Sequence, residues 1–240
     1  MVSTGVDEIR RYAGKPGLVI AMDGPAGSGK STAARRVATE LGLCYLDTGA
    51  MYRALTWWLR EHGVELTDTT AVLASMSEPR IAISTDPAAP WITVDGRDVA
   101  GPIRGRDVSN TVSIVAAIPQ VRAMLIAMQR DIISGAAARG GIVAEGRDIG
   151  TVVAPDAAIK VYLTATEDVR AQRRSADLAA DPAATVEATK REQARRDRRD
   201  AGQSAMADDA VEVDTSLLSL DEVVELVVDM ARERQAVSRG

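Results

Sequence analysis

A glycine-rich segment at residues 24 to 31 constrains this chain more than any other feature. It reads Gly-Pro-Ala-Gly-Ser-Gly-Lys-Ser and matches the pattern G-x-x-x-x-G-K-[ST] in full. The apolar run from Leu18 to Met22 before it predicts a buried strand, and the helical spacing of apolar residues from Lys30 to Leu41 after it predicts a helix. Strand, glycine loop and helix in this order are typical of the opening of a βαβ unit.

This loop predicts a binding site for a nucleoside triphosphate. Backbone amides can wrap a polyphosphate closely only where side chains do not obstruct them, and the following helix adds its positive dipole end. We expect the Lys30 ammonium to reach the β- and γ-phosphates as a catalytic group, and the Ser31 hydroxyl to ligate Mg²⁺. The predicted nucleotide-binding residues are Gly24, Pro25, Ala26, Gly27, Ser28, Gly29, Lys30, Ser31 and Thr32.

The rest of the chain continues the alternation of strands and helices. Further strands are predicted at 43–46, 140–145, 158–163 and 211–214, and further helices at 50–61, 119–133, 167–178 and after a capping box at Ser219–Glu222. We therefore predict the α/β fold class, with a P-loop NTPase core in which a central parallel sheet is flanked by helices.

Two segments interrupt this core and predict its division into parts. Alternating residues at 81–84 and 91–94, with an Asp95-Gly96 turn, predict a small antiparallel insertion. The charged stretch at 187–204, which follows an alanine-rich tip, predicts a mobile lid. The expected division is a leader (1–16), a core (17–62, 107–169 and 206–240), an inserted subdomain (63–106) and a lid (170–205).

Composition excludes several other classes of protein. The 240 residues carry 29 basic and 34 acidic side chains, so bulk charge does not favour nucleic acid, and no apolar run of about 18 residues predicts a membrane span. A single cysteine, Cys44, and a single histidine, His62, exclude an internal disulfide and a Cys/His zinc cluster. We interpret Cys44 as a buried side chain and His62 as a helix cap, and we expect a cytoplasmic monomer.

Arginine placement indicates what accepts the phosphoryl group. Of the 29 basic residues, 25 are arginine, and guanidinium groups bind phosphate oxygens in pairs of hydrogen bonds. No base-reading segment of a GTPase is present, and the chain is short for a mechanical ATPase, so a small kinase with a phosphorylated acceptor is favoured. The arginines at predicted strand ends and in the lid are Arg53, Arg122, Arg147, Arg173, Arg174, Arg195 and Arg196.

Four segments together carry a family resemblance. The loop at 23–31, Leu-Asp-Thr-Gly-Ala-Met-Tyr-Arg at 46–53, Ala-Glu-Gly-Arg-Asp-Ile-Gly-Thr-Val-Val at 144–153 and the segment at 209–216 resemble, in this order, the bacterial cytidylate kinases. The resemblance extends from about Leu18 to Arg232 and includes the insertion. It implies transfer of the γ-phosphoryl group of ATP to CMP or dCMP, with Mg²⁺ as cofactor.

The resemblance also implies roles for individual residues. Catalytic roles fall to Lys30, Arg147 and Arg196, and acceptor binding falls to Thr48, Tyr52, Arg53, Ser113, Arg122, Arg147, Asp148, Arg196 and Asp200. Arg53 and Arg147 would hold the acceptor phosphate, whereas Ser113, Arg122 and Asp148 would read the cytosine edge. Asp200 would bind a ribose hydroxyl.

One departure from the family pattern lies in the lid. The family's pattern resembles Arg-Asp-x-x-Asp-x-x-Arg followed by Pro-Leu, and this chain has Gln203 in the last arginine position with no Pro-Leu after it. The departure removes one expected phosphate contact.

Three alternatives remain open at this stage. A kinase of UMP, AMP or shikimate would use the same loop, and a nucleotide-dependent switch would use the loop without an acceptor. A nucleic-acid-binding module would use the arginines of 187–204, although acidic residues are interspersed among them.

Overall fold

Five parallel strands form the central sheet of the computed structural model, which describes residues 17–177, 185–200, 202 and 204–237. The strands are β1 (Leu18–Asp23), β2 (Cys44–Asp47), β6 (Gly141–Gly146), β7 (Ile159–Thr164) and β8 (Val211–Asp214). Their order in the sheet is β2-β6-β1-β7-β8, and all four neighbouring pairs are parallel. The predicted α/β fold with a parallel sheet is confirmed.

Helices cover both faces of this sheet. In chain order they are α1 (Lys30–Leu41), α2 (Thr48–Glu61), α3 (Thr69–Ser75), α4 (Arg106–Ala116), α5 (Pro119–Ala137), α6 (Glu167–Asp177), α7 (Val186–Asp200) and α8 (Leu220–Val237). On one face, α1 and α8 bury an aliphatic cluster that includes Val37, Val224 and Val227. On the other, α2 and α5 bury a second cluster around Met51, Leu55 and Leu125. Because both faces are covered, the inner strands are continuous apolar runs, as the sequence showed.

The inserted segment contains α3 and a separate three-stranded antiparallel sheet. Its strands are β3 (Ile81–Ile83), β4 (Ile92–Val94) and β5 (Arg97–Asp98). The predicted turn lies between β4 and β5, with both Asp95 (φ 52°) and Gly96 (φ 80°) in the left-handed region that such hairpins require. The loop after β3 touches the core, because the Tyr45 amide donates to the Thr85 carbonyl (2.9 Å).

The sequence predicted the five core strands, most of the helices and the two short strands β3 and β4. Helices α3 and α4, the strand β5, a 3₁₀ turn at Pro102–Arg104 and a π-helical turn at Ile149–Val153 were not predicted. The capping box is confirmed, since the Ser219 hydroxyl accepts from the Glu222 amide (3.2 Å) and the Glu222 carboxylate accepts from the Ser219 amide (2.8 Å). Cys44 is half-buried rather than buried, whereas His62 lies at the end of α2, as predicted. The leader, most of the alanine-rich tip and Gln203 lie outside the described residues.

None of the helices in the described ranges combines the length and the apolar character that a membrane span requires. Helices α4 and α5 reach that length and composition only together, and they are bent by 102° relative to each other.

Candidate active site

The carboxyl ends of β1, β2 and β6 open onto one cavity of about 460 Å³. This edge contains the switch point of the sheet, since the chain passes from β1 over β6 to β2. Ligands of open parallel sheets bind at such points. The phosphate loop follows β1, Thr48 follows β2, and Arg147 and Asp148 follow β6, so three successive connections place their residues around the same space.

The phosphate loop has the shape that its glycines permit. A side chain at Gly24 would place its Cβ 2.1 Å from the Leu163 carbonyl oxygen, and Gly29, at φ 86°, precedes the first residue of α1. No described side chain caps this helix, and its first turn contains no acidic residue. Its first amides and its positive dipole end are therefore available to an anion in the cavity.

Lys30 lies between cations and carboxylates. Its ammonium donates to the Pro25 carbonyl (3.2 Å), which places it over the loop. Burial, and next the positive charge of Arg147, lower the pKa of Lys30 to about 8, although Glu145 opposes the shift. The site therefore holds this ammonium at an electrostatic cost that a bound polyphosphate would relieve.

Two arginines, Arg147 after β6 and Arg196 of α7, lie near Lys30. Arg147 and Arg196 share one carboxylate of α7, with Asp200 Oδ2 lying 3.3 Å from Arg147 Nη2 and 3.5 Å from Arg196 Nε. Burial, and next the charge of Arg147, lower the pKa of the Arg196 guanidinium to about 9. Cations that depress one another's pKa values around a cavity form a site for a highly charged anion.

A second group of charges lies at the amino end of α2. Asp47 caps this helix by accepting from the Ala50 amide (2.8 Å), and it also pairs with Arg53 (2.9 Å). Arg104, from the 3₁₀ turn of the insertion, lies 3.6 Å from the same carboxylate. Arg53 and Arg104 therefore enter the cavity from two different parts of the chain.

The far end of the cavity has the composition of a base-binding pocket. Asp148 is 6% exposed, and its carboxylate accepts a hydrogen bond from Arg122. Ser113 and the apolar side chains of Val112 and Ala116 line the same end from α4. Tyr52 closes it, and burial raises the pKa of this phenol to about 12, so it remains a neutral hydroxyl group.

Hard oxygen donors lie beside the phosphate loop. Glu145 is 2% exposed and accepts from the Tyr45 hydroxyl (2.8 Å), and Ser31 also hydrogen-bonds to it. Burial, and next the neighbouring Asp47, raise the pKa of Glu145. Two buried carboxylates and a hydroxyl in this arrangement suit a divalent cation such as Mg²⁺. In the described part of the chain, no cluster of three or more His, Cys, Asp or Glu could hold a metal unaided.

Helices α6 and α7 lie against the outer side of the phosphate loop. Arg170 donates to the Ala26 carbonyl (3.2 Å) and pairs with Asp197 (2.7 Å), which joins the two helices over the loop. Gln193 also donates to the Ala26 carbonyl (3.4 Å). The structure therefore places the segment predicted as the lid in direct contact with the donor site.

The structure gathers nearly all the residues that the sequence singled out. All nine residues predicted to bind the acceptor line the cavity, as do Ala26, Gly27, Gly29, Lys30, Ser31 and Thr32 of the loop. Gly24, Pro25 and Ser28 do not line it, and they shape the loop instead. Among the other arginines, Arg174 lines the cavity, Arg195 lines a small neighbouring pocket, and Arg173 donates to Thr215 (2.8 Å). The individual roles of these residues remain predictions.

Several residues of the site were given no role from the sequence, among them Glu145, Asp47, Arg104 and Val112. Glu145 and Asp47 each end a buried apolar strand, and a carboxylate at that position was a usable signal. Arg104 and Val112 lie in a turn and a helix that the sequence did not predict, so no signal marked them.

The fold and the paired anion-binding regions define a P-loop phosphotransferase of small molecules. The family model for cytidylate kinase matches residues 20–233. A cytidylate kinase of Streptomyces coelicolor is 52% identical over 222 residues, which cover 92% of this chain and 95% of that protein. One of Streptomyces avermitilis is 50% identical with the same coverage, and one of Geobacillus kaustophilus is 44% identical over 90% of this chain and 97% of that protein. The chain belongs to the cytidylate kinase family.

Among solved structures, a shikimate kinase from Acinetobacter baumannii in complex with shikimate is similar at a TM-score of 0.44. The two sequences are 15% identical over 93% of this chain and 97% of that chain.

Proposed function

We propose that this chain transfers the γ-phosphoryl group of ATP to CMP or dCMP, giving ADP and CDP or dCDP. The observation that carries the proposal is the single cavity that contains both anion-binding regions. The phosphate loop lines this cavity together with the three arginines Arg53, Arg147 and Arg196. Donor and acceptor can therefore lie end to end without any large rearrangement of the core.

The transfer needs positioning and charge stabilisation rather than a strong base. The acceptor phosphate already presents an anionic oxygen, so no proton has to be removed before it attacks the γ-phosphorus. As the bond to the leaving ADP oxygen breaks, negative charge spreads over the transferred group, and Lys30, Arg147 and Arg196 stabilise it. Burial, and next the charge of Arg147, lower the pKa values of both Lys30 and Arg196, so a bound polyphosphate would be a favourable partner for both cations.

The chain's own residues can hold Mg²⁺ once a nucleotide is bound. Ser31 would ligate the ion directly, with Glu145 and Asp47 as the nearby acids. When bound, the ion would neutralise negative charge on the β- and γ-phosphate oxygens of the nucleotide. The remaining work of the carboxylates is to orient the Ser31 hydroxyl and the Lys30 ammonium.

Cytosine recognition rests on the Asp148 carboxylate. It can accept a hydrogen bond from the exocyclic amine of cytosine, whereas uracil presents a carbonyl oxygen at that position.

We expect Asp148→Asn to lower the ratio of kcat/KM for CMP to kcat/KM for UMP by about tenfold to a hundredfold, since an amide can donate to uracil. Initial rates with both nucleotides, at fixed ATP, measure this ratio. An unchanged ratio in a variant that binds CMP would remove Asp148 from this role.

The lid is expected to tighten over both substrates. Ten of the 15 residues of helix α7 are charged, and only Thr189, Gln193 and Asp200 are buried in it, so few apolar contacts hold it in place. We expect amide exchange over 186–200 to slow by about tenfold when ATP and CMP are both present, because the arginines then gain phosphate partners. Helix α8, which buries Val223, Val224 and Val227, serves as the internal reference. Equal exchange with and without the substrates would contradict a lid function.

A panel of acceptors tests the proposed activity against its alternatives. ADP formation is followed with CMP, dCMP, UMP, AMP and shikimate at equal concentrations. We expect CMP and dCMP to be turned over at least about tenfold faster than the others, from the hydrogen-bond argument at Asp148. A preference for another acceptor would change the substrate assignment, and ADP formation independent of any acceptor would favour a nucleotide-dependent switch.

A further inference from the structure

A buried carboxylate outside the cavity joins the donor and acceptor sides of the site. Asp23 is the last residue of β1, one position before the phosphate loop, and it is 6% exposed. Its Oδ1 accepts from the Ile149 amide (2.9 Å) and its Oδ2 accepts from the Gly150 amide (2.8 Å). Both amides belong to the π-helical turn that immediately follows Arg147 and Asp148.

This turn fixes the direction of the acceptor-binding side chains. Asp148 lies between β6 and the turn, and its carbonyl oxygen accepts from the amides of Val152 (2.8 Å) and Val153 (3.1 Å). Arg130, from α5, holds the other end by donating to the Val152 carbonyl (2.6 Å). The turn is therefore held at its start by Asp23 and at its end by α5, so its placement does not depend on the lid.

Strand pairing alone leaves a gap that Asp23 closes. In the sheet, Asp23 pairs with Gly146, the last residue of β6. Beyond this pair the two strands separate, and one continues into the phosphate loop while the other continues into the acceptor segment. The carboxylate spans that separation with two hydrogen bonds.

We propose that Asp23 is a positioning residue that sets the acceptor segment, Arg147 and Asp148, at a fixed place relative to the phosphate loop. The inference rests on the proposed function, because it concerns the alignment of CMP with ATP. Misplacing a reacting group by about 1 Å costs up to a hundredfold in rate. A fixed link between the two sides of the site can therefore justify the energetic cost of burying the Asp23 carboxylate.

Burial makes the ionised carboxylate of Asp23 unfavourable for the stability of the fold. Burial raises the pKa of Asp23 to about 6, although the amides of Gly150 and Ile149 oppose the shift. An acid whose pKa is raised on folding favours the folded state when it is protonated, so its ionised form lowers stability at neutral pH. Removing that charge is therefore not expected to unfold the protein.

Asp23→Asn tests the proposal. The amide keeps one acceptor and presents an N–H group to the other backbone amide, which breaks the two-point link. We expect KM for CMP to rise about tenfold and kcat to fall, while KM for ATP and the slow hydrolysis of ATP without CMP remain unchanged. The unfolding temperature is expected to stay within about 3 °C of the wild type.

Two further variants complete the experiment. Asp68→Asn is the matched control, because Asp68 also accepts from two backbone amides, Thr70 (2.9 Å) and Ala71 (3.2 Å), at the start of α3 and away from the cavity. Its kinetics should match those of the wild type. Arg130→Ala releases the other end of the same turn without altering Asp23, because it removes the donors to the Val152 (2.6 Å) and Val153 (3.2 Å) carbonyls. We expect the same selective rise in KM for CMP, by about threefold. This variant carries the test if Asp23→Asn does not fold.

The outcomes separate this inference from the proposed function. Wild-type protein that does not phosphorylate CMP would remove the proposed function, and this inference with it. Wild-type protein that phosphorylates CMP, combined with an unchanged Asp23→Asn variant, would overturn the positioning role alone. Equal losses of CMP and ATP affinity would also overturn it, because they would make Asp23 a structural residue of the loop.

Discussion

Replacing Lys30 with alanine is expected to lower kcat by about a thousandfold while the fold remains intact. The ammonium is the cation of the loop nearest to the transferred group, and no other lysine lines the cavity within the described residues. Its pKa is lowered to about 8 on folding, so charged Lys30 destabilises the folded protein below that pH. The unfolding temperature of Lys30→Ala at pH 7 should therefore equal or exceed that of the wild type.

A coupled ADP assay together with thermal unfolding measures both halves of this prediction. Lys190→Ala is the matched control, because Lys190 is a part-exposed lysine of α7 that pairs with Asp168 (2.5 Å) outside the cavity. It should retain wild-type turnover. Retained turnover in Lys30→Ala would contradict the assignment of the loop as the donor site, whereas lost turnover with a lowered unfolding temperature would make Lys30 a structural residue.

The second large effect is expected from Arg147→Ala, which should lower kcat/KM for CMP by about a hundredfold. Arg147 directly follows β6. Its guanidinium pairs with Asp200 of α7 (3.3 Å), and its charge contributes to the lowered pKa values of Lys30 and Arg196. Its guanidinium offers paired donors to a phosphate, and a buried charge-assisted contact of this kind is worth about 3 kcal/mol. The loss should fall on KM for CMP and on kcat, and KM for ATP should change little, because the loop still binds ATP.

Steady-state kinetics with each substrate varied in turn check this split. Arg232→Ala, on the outer face of α8, removes an exposed arginine that pairs with Asp229 (3.1 Å), and it should leave both KM values unchanged. If Arg147→Ala raised the two KM values equally, Arg147 would belong to the donor site, and the acceptor phosphate would have to be held by other arginines.

Local sequence patterns were sufficient where the chemistry itself is local. The phosphate loop is one continuous segment whose glycines and Lys30 act within eight residues, so its place between β1 and α1 could be predicted. The apolar strands could be predicted for the same reason, because burial on both faces leaves a continuous apolar run. The resemblance to the cytidylate kinases then supplied the acceptor residues, which the structure brings into the same cavity.

Contacts between distant segments could not be predicted in this way. The residues 149–153 read Ile-Gly-Thr-Val-Val, which favours a strand locally, yet they form a π-helical turn held by Asp23 and Arg130 from two other elements. Arg170 gave no signal either, because its partners Ala26 and Asp197 are 144 and 27 residues away. Tertiary hydrogen bonds decide such segments, and spacing along the chain does not record them.

The central claim is that donor and acceptor lie end to end in one cavity, and a compound that joins them measures it most directly. Adenosine and cytidine linked through five phosphates should bind one molecule per chain, at least about a hundredfold more tightly than ATP, since the second half binds at high effective concentration. Both ATP and CMP should displace it in calorimetric competition. Affinity equal to that of ATP, with displacement by ATP but not by CMP, would contradict the claim.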